Sequence, residues 1–186
     1  MLTDADKKAL LAFARRTLEA LLRGKAAPRL SARSPALAAP GGAFVTLKNQ
    51  GRLRGCIGTF QSRKPLGETV QEMTAAATRD PRFLSNPVSA GELEDLDIEI
   101  SVLSPLEKVS DPMKEIELGR HGICIEGPYG SGCFLPQVAA ETDWSKEQFL
   151  SMCCSHKAGL APDAWKQPNI TVYRFEAEVF GEKDNT

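Results

Sequence analysis

The chain has 186 residues, 42% hydrophobic and 25% charged, and its 23 basic and 24 acidic side chains leave a net charge of −1. That composition excludes a disordered or fibrous chain, and a chain of this length is expected to form one core burying roughly 70% of its unfolded surface. The charge balance gives no global field toward nucleic acid or anionic membrane and leaves Arg52, Arg54, Arg63 and Lys64 as a local basic cluster. Residues 2–22 mix Leu and Ala with Asp, Lys, Arg and Glu, so no signal-peptide or membrane-spanning segment is expected there. The cysteines (Cys56, Cys124, Cys133, Cys153, Cys154) are odd in number and lack a C-x-x-C pair, so neither a disulfide framework nor a closed zinc site is expected. With only two histidines, far apart, no metal and no cofactor is implied, and a reducing cytoplasm is the natural compartment.

In chain order, Thr3 and Asp6 form a capping-box pattern, and Leu10, Leu11, Ala14, Leu18, Leu21 and Leu22 recur at helical spacing, predicting an amphipathic helix over 4–23. The Ala/Pro-rich stretch 25–42 reads as a surface connection. Two apolar runs around Asn49-Gln50-Gly51 predict a β-hairpin over 43–60. Pro65 opens a helix whose buried stripe is Leu66, Val70, Met73 and Ala77. Leu96, Ile98, Ile100 and Val102 alternate with Asp97, Glu99 and Ser101 as a half-buried strand. A second hairpin is expected around 127–131, then a helix capped by Ser145 and Gln148 and stopped at Gly159. A last strand alternates Tyr173, Phe175, Ala177 and Val179 with Arg174, Glu176 and Glu178, and its aromatic stripe Tyr173/Phe175 reads as core. The order predicts an α+β domain with a mixed or largely antiparallel sheet flanked by helices, with a smaller hairpin-rich lobe around 105–138.

The most informative stretch is the octet Leu53-Arg54-Gly55-Cys56-Ile57-Gly58-Thr59-Phe60. In a regular strand Arg52, Arg54 and Cys56 point to one face, with Leu53 and Ile57 directed into the core. A thiol beside two cations ionises more readily than a free one. Cys56 is therefore either a nucleophile, redox group or tether, or a small residue packed where Gly55 and Gly58 allow close approach. Gly55, Gly58, Thr59, Arg52 and Arg54 are the candidate ligand-binding elements. Gly55-Cys56-Ile57-Gly58 also fits a G-x-x-G RNA-binding loop, but that loop joins two helices and this one grows from a strand.

The octet resembles the signature of the AMMECR domain family, whose prokaryotic members are called AmmeMemoRadiSam system protein A. Other segments agree: Ala75–Phe83, Glu99–Pro105, Phe134–Val138, Lys157–Leu160 and Tyr173–Phe180. The resemblance covers about residues 10–182. It implies a single α+β domain with a large and a small lobe, the octet near the cleft between them, and association with a Memo-type protein and a radical-SAM enzyme.

Three further places carry candidate chemistry. Asp80-Pro81-Arg82-Phe83, just past a helix end, either presents Asp80 or Arg82 to a ligand or forms an Asp–Arg structural pair with Phe83 packed beneath. Glu99 either faces water or meets Arg54 across the sheet. His156, at helical spacing from Phe149, Met152 and Cys153, is either a base for Cys56 or a core-edge residue. His121 reads as a turn residue. Three functions follow: a pathway component binding an anionic or carbonyl-bearing ligand at Arg54–Phe60, a non-catalytic module docking a Memo-like or radical-SAM partner, and RNA binding through the Arg52–Lys64 patch.

Overall fold

Helix α1 (Asp4–Leu22) starts where the capping pattern places it. Thr3 Oγ1 accepts from the Asp6 N–H at 3.2 Å and Asp6 Oδ2 accepts from the Thr3 N–H at 3.0 Å, a reciprocal box that satisfies two otherwise free donors. The computed structural model describes residues 2–30 and 34–185, so the 31–33 part of the expected surface connection lies outside the described residues. The chain divides into two units, one running to Leu103 and resuming at Glu178, the other Ser104–Ala177. The second unit is wider than the 105–138 hairpin region.

In the first unit, β1 (Ala43–Asn49) pairs antiparallel with both β2 (Arg52–Thr59) and β3 (Leu96–Leu103), giving the order β2-β1-β3. Short helix α2 (Pro35–Ala38) precedes β1, and α3 (Leu66–Ala77) follows β2. Leu10 and Leu18 of α1, Val70 of α3, Val45 and Leu47 of β1, and Ile98 and Ile100 of β3 are fully buried in one core. Each such side chain contributes about 1.5–3 kcal/mol on burial. Arg15 of α1 ties this core to the C-terminal stretch: it donates to Leu96 O at 2.7 Å and pairs with Glu182, which accepts the Ile98 N–H at 2.9 Å.

In the second unit, β4 (Glu107–Val109), helix α4 (Pro112–Glu115), β5 (His121–Gly127), β6 (Gly130–Phe134), α5 (Pro136–Ala140), α6 (Lys146–Cys153) and β7 (Thr171–Gly181) follow in turn. The strands pair antiparallel as β6-β5-β7-β4. Ile123, Ile125, Phe134, Phe149, Leu150 and Val172 make the core, with the Phe134 and Phe149 rings stacked at 5.4 Å. The fold is α+β, and among the described residues no helix is long and apolar enough to cross a membrane.

Two expectations need correction. Cys124 and Cys133 are joined as a disulfide, because the β5–β6 register sets them directly opposite, their Cα atoms 4.2 Å apart. That pairing is made across a hairpin and leaves no short-spacing motif. In β7 the buried hydrophobic residues are Val172, Phe175 and Phe180, while Tyr173, expected in the core with Phe175, is only half-buried. The strand crosses from one unit to the other at Ala177, and its buried side does not keep one period-2 register along its length.

His121 opens β5 buried, its Nδ1 accepting the Glu117 N–H at 3.0 Å, so the neutral ring carries its proton on Nε2, 3.8 Å from Glu176 Oε1. Burial, then Arg174 and Arg120, lower its pKa against the opposing pull of Glu176 and Glu117. The unfolded chain, with a histidine pKa of about 6.5, therefore takes up this proton first on acidification. The His121 contribution to stability is complete above that pH and is lost as pH falls below it. Urea unfolding at pH 7.5 and 5.5 should show lower stability at the acid pH, with a weaker pH dependence in His121→Gln.

Candidate functional site

The octet lies on β2, an edge strand of the first unit's sheet, and one residue of it is out of step. Pairing runs Thr46 with Cys56, Leu47 with Gly55, then Lys48 with Leu53 and Asn49 with Arg52; Arg54 has no partner on β1. This β-bulge turns every side chain before Gly55 to the opposite face from a regular strand. Cys56 shares its face with Thr46 and Lys48, away from α3. Arg52 shares the other face with Asn49 and Leu47. Leu53, expected in the core, faces the Lys48 side at 38% exposure. The expectation that Arg52, Arg54 and Cys56 form one row is therefore corrected.

Arg54, at the bulge, is held by Glu92: Nε and Nη2 donate to the two carboxylate oxygens at 2.7 and 2.9 Å, and Nη2 also reaches Pro87 O at 3.3 Å. Glu92 accepts further from Asn49 Nδ2 at 3.2 Å and the Ser89 N–H at 3.1 Å. The Arg54 guanidinium, then the smaller contributions of Ser89 and Asn49, bring the Glu92 pKa down to about 2 against burial. Glu99 instead pairs with Lys48 at 3.0 Å. Register puts Glu99 opposite Thr46, and Thr46 opposite Cys56, so the three form one row across the sheet.

Cys56 is clamped through its backbone. Its N–H donates to Asp80 Oδ2 at 2.9 Å and its carbonyl accepts from Arg82 Nη2 at 3.3 Å. Asp80 in turn accepts from the Arg82 N–H and Nε, both at 3.0 Å, and from Nη2 at 2.6 Å. The Asp80 side chain is 1% exposed and Arg82 is 57% exposed. Chiefly through Arg82, and also through the Cys56 N–H, the Asp80 carboxyl stays far below the usual carboxylate range. The pair so occupies edge groups of β2 that a foreign strand could otherwise engage. Phe83 lies between two cations, 5.9 Å from the Arg54 guanidinium and 5.7 Å from that of Arg82. Thus Asp80, Arg82 and Phe83 form the structural pair and packed ring, and the same pair touches the octet backbone.

Cys56 is half-buried, and its sulfur accepts from Thr46 Oγ1 at 3.2 Å. The octet glycines serve packing: a Cβ on Gly55 would meet Ala77 O at 2.1 Å, and one on Gly58 would meet the Phe44 ring at 2.2 Å. Thr59 spends its hydroxyl on Gln61 O at 2.7 Å. His156 is exposed on a π-helical turn, Cys154–Ala158, that shifts it from the apolar face of α6, and it belongs to the second unit. The family model for AMMECR1 matches residues 11–180. The chain belongs to the AMMECR1 family.

Relatives in the family share most of its length. A protein of Methanosarcina acetivorans is 39% identical over 99% of this chain and 95% of its own. One of Methanothermobacter thermautotrophicus is 41% identical over 97% and 96%. The crystal structure of the uncharacterized protein PH0010 from Pyrococcus horikoshii is similar at a TM-score of 0.82 and 39% identity, covering 94% of this chain and 90% of that one. A cavity of about 750 Å³ in this AMMECR1 chain lies in the first unit between Phe13, Leu30, Leu37 and Gln71, and no octet residue lines it.

Reading the chain as sequence misses Glu92 and Thr46 around the octet. Ser89-Ala90-Gly91-Glu92 does carry a capping-box spacing, and the box forms at that 3-10 turn, but only the fold brings Glu92 to Arg54. Asp80→Ala leaves the Cys56 N–H and a guanidinium without their acceptor, and should cost about 1–3 kcal/mol in urea unfolding. Because the Asp80 and Glu92 pKa values are both lowered by folding, their stabilisation is complete above the unfolded value of about 4 and declines as pH falls below it. Circular dichroism between pH 5 and 2 should show the acid transition of Asp80→Asn begin at higher pH than that of the parent.

Proposed function

We propose that this AMMECR1-family chain is a ligand-binding component of an AmmeMemoRadiSam-type pathway in the cytoplasm, taking an anionic or carbonyl-bearing ligand at Arg54–Phe60. Its partners are a Memo-like protein and a radical-SAM enzyme. The observation that carries this reading is Cys56: a half-buried cysteine on a strand backbone clamped by Asp80 and Arg82, its sulfur met by a hydroxyl donor at 3.2 Å. Cys153 and Cys154 are buried, and burial pushes the Cys153 thiol up to about 12. Arg82, half exposed beside the octet and paired with Asp80 through Nε and Nη2, keeps its Nη1 donors for an anionic group. With a carbonyl ligand, the Cys56 sulfur adds to the carbonyl carbon, the C=O π pair moves to oxygen, and the thiol proton ends on that oxygen. Within the first unit the Thr46 hydroxyl, 3.2 Å from the Cys56 sulfur, is the group placed to pass that proton, and Glu99, paired with Lys48, lies beyond it in the same row.

A second reading, a non-catalytic docking module, is favoured by the exposure of Leu53 at 38% and Leu84 at 64% in the same unit. Iodoacetamide labelling of the native protein, read by peptide mass spectrometry, separates the two. The ligand-site reading expects Cys56 to label in the folded state while Cys153 and Cys154 label only on unfolding. Labelling of Cys56 only on unfolding contradicts it and leaves docking.

A further inference from the structure

The bulge that turns Arg52 away from Cys56 delivers it to a separate hollow of about 300 Å³, lined by Asn49, Gln50, Arg52, Arg54, Asn86 and Glu92. We propose that this hollow is a binding site for a small polar carboxylate. The proposal goes beyond the reading above, needs nothing of Cys56, and shares only Arg54 with it.

The charges in the hollow do not cancel. Glu92 is committed: Arg54, Asn49 and Ser89 all donate to its two oxygens. Arg54 is pinned by that fork and by Pro87 O. The Arg52 guanidinium makes no ion pair or hydrogen bond among the described residues, so two guanidinium groups face one carboxylate and the hollow keeps one positive charge. A planar guanidinium matches a carboxylate through paired donors, which favours that anion over a spherical one.

The uncharged lining adds a second requirement. The side-chain amides of Gln50 and Asn86 make no hydrogen bond among the described residues, so each offers a donor and an acceptor to whatever occupies the space. Gln50 is also the one described non-glycine residue with positive φ, at 50°, in a turn completed by Gly51 at 80°. Such turns favour Gly, Asn or Asp at the first central position. A glutamine there keeps a long amide over the hollow at a cost in backbone energy. The volume admits about ten water-sized groups, and no apolar side chain lines it, so the ligand is small and carries hydroxyl, amino or amide groups beside its carboxylate.

Glycolate, the simplest such molecule, is the probe. Titrated into the whole labelled protein, it should produce saturable NMR shifts at Gln50, Gly51, Arg52 and Asn86. Arg52→Gln, at an exposed position, should weaken glycolate by about tenfold, as for loss of one charge-assisted hydrogen-bonding partner. Gln50→Gly should raise the melting temperature while weakening glycolate, whereas a residue serving the turn alone would give only the first effect. The proposal is overturned by the absence of saturable shifts, by unchanged affinity in Arg52→Gln, or by chloride or inorganic phosphate binding as well as glycolate does.

Discussion

The extra residue that β2 inserts opposite the Leu47–Lys48 step fixes which groups can act together, because side chains on a strand alternate faces with period 2. From Gly55 onward the octet keeps the phase that packs Gly55 against the Ala77 carbonyl and Ile57 on the core side, opposite Val45. Before it the phase is reversed. Two arginines that read as neighbours of a thiol are thereby removed from it: Arg54 is spent on Glu92, and Arg52 opens onto a different hollow. Cys56 is left with Thr46 and Glu99 in its row and Arg82 at its backbone.

The second constraint is the edge position of β2. An edge strand exposes backbone donors and acceptors that must be satisfied or guarded. Here one carboxylate and one guanidinium from the turn after α3 engage both the N–H and the C=O of Cys56. The Asp80 carboxylate is almost wholly buried and sits among four donor contacts, so its ionised form is built into the folded state. The same turn projects Phe83 between Arg54 and Arg82, joining the two electrostatic clusters through one ring. The conformation of the octet and its charge distribution thus have a common origin in residues 80–92.

Much of this architecture is legible in the chain because its signals are local. The Thr3/Asp6 and Ser145/Gln148 boxes, the Gln50-Gly51 turn, the stripe of α3 and the alternation of β3 all form as their spacing predicts. So does the left-handed stop at Gly159. The family is legible through motifs of several residues in a fixed order. What spacing does not reveal is register. The bulge at Arg54, the pairing of Cys124 with Cys133, and the π-helical turn that carries His156 outward each depend on one residue of offset set by tertiary packing. The Arg54–Glu92 pair depends on a contact 38 positions apart, for which neither residue carries a local mark.

The separation of Cys56 from Arg52 and Arg54 is tested most directly by the β1–β2 register in solution, read from cross-strand backbone NOEs. Contacts of Lys48 with Leu53 and of Asn49 with Arg52 are expected, with Arg54 opposite neither. Contacts of Lys48 with Arg54 and of Asn49 with Leu53 would mean an unbroken register. That would return Arg52, Arg54 and Cys56 to one face, contradicting both the separation of the thiol from its arginines and the hollow built on Arg52.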